Sequence, residues 1–157
     1  MNDRRRTGTR ARRLTMIAAG AAAVLSGTAH AYDFKPAPAE WAMWPDYCKA
    51  RYVTTTVGKA SPYFAMFPPA GVQRWRTLLG TQTFDAVHHY CAGLIWMQRS
   101  SLVTTDQQRS YMLRNAEAEY RYTFERIPPT SPIYREVASN LQLARAMLGS
   151  YGTPISR

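Results

Sequence analysis

His88-His89-Tyr90-Cys91 sets two imidazoles and a thiol within four residues, raw material for a metal site or a nucleophile–base pair. On a helix, His88 and Cys91 lie three apart and share a face, whereas His88 and His89 point about 100° apart. A His–Cys pair supplies two ligands where structural zinc wants four, and Asp85 is the only carboxylate nearby. A Cys–His nucleophile pair lacks an orienting Asn or Asp at a recognisable spacing. Haem attachment by C-x-x-C-H and a redox C-x-x-C are both absent, since Cys48 and Cys91 stand far apart. The histidines are therefore expected to pack or hydrogen-bond at a helix interface, with no metal and no cofactor. A metal-handling protein using His88 and Cys91 is the alternative.

The carboxylates offer a second kind of chemistry. Glu117 and Glu119 fall on different helix faces, and Glu125 and Glu136 flank Pro128-Pro129. A glycosidase-like pair needs one carboxyl in an apolar pocket, so the catalytic rival is a small envelope enzyme acting on peptidoglycan. The simpler expectation is that Arg121, Arg126, Glu125 and Glu119 form a solvated, salt-bridged face. Among the aromatic residues, Tyr111, Tyr120, Tyr122 and Tyr134 at helical spacings read as core. Trp41, Trp44, Trp75 and Trp96 read as a seal between the N-terminal segment and the rest.

Compartment follows from the N-terminus. Six arginines between positions 4 and 13 precede an apolar run at 14–27, and Ala29 and Ala31 stand at minus three and minus one of a cleavage site. This pattern predicts a signal peptide over 1–31, too short and too rich in Ala and Gly to span a membrane. Thr15 follows the Arg12-Arg13 pair where the twin-arginine route wants a large apolar residue, so general secretion is favoured. Removing those six arginines and Asp3 leaves 14 basic and 9 acidic side chains, a net of +5. That is mildly basic, with no basic stripe interleaved with aromatics, and it excludes nucleic acid as the expected partner. The remaining two cysteines, in a periplasmic or secreted protein, predict one disulfide, Cys48–Cys91.

These residues must be held by helices, because no alternating strand pattern of useful length occurs. Residues 32–39 read as an extended leader, given Pro36 and Pro38. A cap over 40–80 holds a short helix within 40–53, a loop over 54–71 packed by Tyr63, Phe64 and Phe67, and a helix over 72–80 closed by Gly80. A helical region over 81–150 follows. Apolar residues at 84, 87, 91, 94 and 95 predict a helix to about Leu102. Thr105 and Gln108 form a capping box for a second, striped by Leu113, Ala116, Tyr120, Phe124 and Ile127. Ser131 as N-cap and Pro132 at the first position open a third, running to about Gly149. Residues 151–157 are a tail.

Helix, helix, Pro-Pro, helix at 30-odd residues per pair is a period of repeat architectures. Ala116, Tyr120 and Pro128, followed by Tyr134, Val137, Ala138 and Leu141, resemble a junction between tetratricopeptide repeats. Gly93 and Trp96 match the small and large positions of the preceding first helix. His89 stands where tryptophan is usual, and the turn after Ser100 is longer than the repeat allows. The chain thus resembles the small exported tetratricopeptide-like proteins of proteobacteria over about 84–150. The resemblance implies an all-α fold of about one and a half antiparallel helix pairs with an irregular N-terminal cap. It also implies a non-catalytic interaction module for a protein or peptide partner in the cell envelope. With Gly93 and Ala138 at equivalent positions, Tyr90 and Gln98 line a groove from the first unit, and Arg135, Ser139 and Gln142 from the second. Arg135 would grip a peptide carboxylate through two hydrogen bonds.

Overall fold

The computed structural model describes residues 34–152, so the signal peptide expected over 1–31 and the last five residues of the expected tail lie outside the described residues. Within them the chain is all-α, with no strand. Its helices are α1 (Pro38–Met43), α2 (Asp46–Tyr52), α3 (Thr56–Lys59), α4 (Pro69–Leu79), α5 (Thr81–Ser100), α6 (Asp106–Phe124) and α7 (Tyr134–Gly152), plus a 3₁₀ turn at Phe64–Met66.

Local chemistry explains most boundaries, including those that depart from expectation. The extended leader ends at Ala37, not Ala39, because Pro38 suits a first helical turn and Glu40 accepts a hydrogen bond from the Ala37 N–H at 2.7 Å. Two helices, not one, occupy 38–52. Pro45 forces Trp44 into an extended conformation (ψ 139°) and then precedes α2, with Asp46 at its positive end. The expected loop over 54–71 holds α3, whose N–H of Gly58 donates to Thr55 Oγ1 at 2.9 Å. Tyr63 and Phe67 do pack down, but Phe64 is exposed. Gly80 closes α4 as expected, with φ 74°, and α5 begins directly after it. Thr105 caps α6 by accepting from the Gln108 N–H. Ser131 does not cap α7. Its hydroxyl is buried without a hydrogen-bond partner, residues 131–133 form a turn, and the helix starts at Tyr134.

Helices α5, α6 and α7 stack as successive antiparallel neighbours. The start of α5 meets the end of α6, where Gln82 Nε2 donates to the Arg126 carbonyl at 2.8 Å, and Arg109 Nε reaches the Ser100 carbonyl at the other end. Ring contact of Phe124 with Tyr134 and the Arg145–Glu117 ion pair fix α7 antiparallel to α6. The close approach expected at Gly93 is real, since a Cβ there would fall 2.6 Å from the Tyr120 ring. Phe84, Val87, Ile95, Leu113, Tyr120 and Val137 are fully or almost fully buried between these helices.

The N-terminal helices then lie on α5. A disulfide joins Cys48 of α2 to Cys91 of α5, the pairing expected from the cysteine count and suited to an oxidising compartment. Trp44 Nε1 donates to the Cys91 carbonyl at 3.0 Å, and Trp41 stacks on Tyr63 at 4.5 Å. Trp75 packs edge-on against Tyr47, and Trp96 against Phe34. The tryptophans seal the cap. No helix among the described residues is long and apolar enough to cross a membrane.

Candidate functional site

The four residues at 88–91 point into four different surroundings. Cys91 is consumed by the disulfide, so no thiolate is left for a metal or a nucleophile. The Cys91 sulfur is therefore not available as the ligand that the metal-handling alternative assigned to it. His88 donates Nδ1–H to the Asp85 carbonyl at 2.7 Å, one turn back on its own helix. His89 donates to Glu119 Oε2 at 2.6 Å, with both side chains buried. Tyr122 lies on the His89 ring at 3.6 Å, and the Arg126 guanidinium lies on the other side of Tyr122, also at 3.6 Å. Glu119 is therefore not on the solvated face expected of it. Its helix position points inward at α5, and its partner there is His89.

Burial, then His89 and Arg51, push the His88 imidazole down from 6.5 to about 3, against a smaller upward pull from the Asp85 carbonyl. The unfolded chain takes up a proton at His88 below about pH 6.5 that the folded chain refuses until about pH 3. Acid therefore favours unfolding across that window, by at most about 1.4 kcal/mol per pH unit. Thermal midpoints should fall between pH 7 and pH 4.5, and fall less in His88→Gln. An equal fall in both proteins would assign the acid sensitivity to carboxylates instead.

Tyr90 does not line an open groove. It is fully buried, and its hydroxyl donates to Glu136 Oε1 at 2.8 Å while accepting from Asn140 Nδ2. The reason is the cap. Helix α2 lies over this face of α5, and Tyr47 donates to the same Glu136 oxygen at 2.9 Å. Burial, with Glu136 beside them, raises both Tyr47 and Tyr90 above the ordinary phenol value. The protein's own N-terminal helices thus fill much of the surface that the tetratricopeptide resemblance assigns to a partner. Arg135, Ser139 and Gln142 remain exposed on α7.

What stays open beside the cap is a cleft of about 370 Å³, bordered by Trp44, Leu94, Met97, Gln98, Glu40 and Glu136. Gln98 is the one expected groove residue that lines it. Arg99 clamps Glu40 through two hydrogen bonds, Nε to Oε1 at 2.6 Å and Nη2 to Oε2 at 2.8 Å. Burial would raise the Glu40 carboxyl, but Arg99 and the Ala37 N–H outweigh it and hold it below the ordinary value. Glu117 pairs with Arg145, and Glu125 more loosely with Arg126. The Glu136 cluster escaped sequence reading because its members are 46 and 89 residues apart. Only Glu136 and Asn140, four apart on one helix, carried a local signal. No protein family, no characterised protein and no solved structure matches the chain.

Proposed function

We propose that the chain is a non-catalytic interaction module of the bacterial periplasm or envelope, a tetratricopeptide-like helical scaffold that holds a peptide or protein partner. What supports this reading most is the stack of antiparallel helices α5, α6 and α7. Small residues sit at its crossing, and the outer face of α7 is left polar and unpaired. Arg135, Ser139 and Gln142 recur at spacings of four and three along that face, which puts them in one row. Arg135 makes no ion pair among the described residues and can take a carboxylate through both guanidinium edges. The disulfide agrees with export.

Capture of partners from an envelope fraction tests the reading. Arg135→Glu should lose a partner that the unaltered protein retains, with the melting temperature changed by little, since an exposed, unpaired side chain is replaced. Retention of every partner by Arg135→Glu, or its unfolding, would remove the α7 face from the reading.

A further inference from the structure

We propose that the cleft between the N-terminal cap and α5 binds an alkyl ammonium or guanidinium group, Glu136 taking the charge and Trp44, Leu94 and Met97 the apolar stem. The inference rests on the cleft and stands apart from the α7 face. Its volume, about 370 Å³, lies within the range of small-ligand sites.

The carboxylate at its edge is unusually well fixed. Tyr47 from α2 and Tyr90 from α5 both donate to Oε1, and Asn140 holds the Tyr90 hydroxyl in place. Both hydrogen bonds go to one oxygen. Oε2 has no hydrogen-bond donor among the described residues, and no Lys, Arg or His pairs with Glu136. A negative group oriented in advance by two phenols costs little further ordering when a cation arrives.

The rest of the lining narrows the ligand. Arg99 already neutralises Glu40, the other carboxylate of the lining, so one unmatched negative charge remains there. Calcium takes six to eight oxygen ligands and is poorly served by a single carboxylate between apolar walls. An ammonium or guanidinium on a hydrocarbon stem matches both halves of the cleft, charge to Glu136 and methylenes to Trp44, Leu94 and Met97. Arg135, next in sequence to Glu136, points about 100° away around α7.

Two sources supply this chemistry, the side chain of a lysine in a polypeptide or a free alkylamine. The test titrates the disulfide-bonded protein with Nα-acetyl-lysine methylamide and, separately, with 1,5-diaminopentane, following amide and indole NMR signals. Signals of Trp44, Leu94 and Met97 should shift with affinity in the millimolar range. The Nε-acetylated lysine derivative, which has lost the charge, should bind at least tenfold more weakly. Glu136→Gln keeps an acceptor for both tyrosines and should also lose tenfold or more. Gln98→Lys, at a half-buried position on the rim, supplies a cation in place and should block both probes if Glu136→Gln fails to fold. Tighter binding of the lysine derivative assigns the group to a polypeptide, and tighter binding of the diamine assigns it to a free amine. Absence of shifts at the cleft, equal binding of the acetylated derivative, or unchanged binding in a folded Glu136→Gln overturns the proposal.

Discussion

Replacing Cys48 and Cys91 together by serine should lower the unfolding free energy by about 4 kcal/mol. The bond closes a loop with a sequence separation of 43, and restoring that loop's freedom to the unfolded chain carries a cost of this order. The loss should match that of a severe core truncation, and it should fall on the cap, because the bond joins α2 to α5. Trp44 Nε1 to the Cys91 carbonyl, Arg99 to Glu40, Tyr47 to Glu136 and the apolar packing of the cap on α5 would then hold it in place. Denaturant titration with and without reductant checks this. A midpoint that does not move under full reduction would show that packing of the cap on α5 suffices by itself.

Glu119→Ala should cost about 3–5 kcal/mol, the range for removing one partner of a buried pair. Glu119 and His89 side chains are 3% and 8% exposed, so neither regains water when the other is cut. Alanine keeps the Cβ that lies beside Gly93, so the loss reports the carboxyl group and not the close approach of α5 and α6. The double variant His89→Leu with Glu119→Leu should recover much of the loss, because replacing both partners by apolar groups leaves no orphaned charge. Equilibrium unfolding of the single and double variants measures the coupling directly. Additive losses would mean that the two residues do not act as a pair.

Much of the scaffold was readable from local pattern. The three-four spacing from Phe84, the Thr105–Gln108 cap, Pro128-Pro129 and Gly80 set helix order and type, because capping and prolyl geometry act over a few residues. Cys48–Cys91 was the one disulfide the sequence could form, there being two cysteines in it, and the bond is present. Gly93 as the point of close approach came from the repeat resemblance, and the Tyr120 ring occupies the space beside it.

What the sequence left undecided was where each charge goes. Glu119 looked like part of a solvated row with Arg121 and Arg126, yet its partner is His89, thirty residues earlier on a different helix. Tyr90 looked exposed because the repeat pattern assigns its face to a groove, and the pattern carries no information about a cap that folds back over it. Glu136 gained its two tyrosines from helices 46 and 89 residues away. Periodicity records which face of a helix is apolar, since that preference is set residue by residue. Which polar side chains meet across helices depends on the angle and depth at which whole faces dock, and on α2 lying on α5, quantities that only the tertiary structure contains.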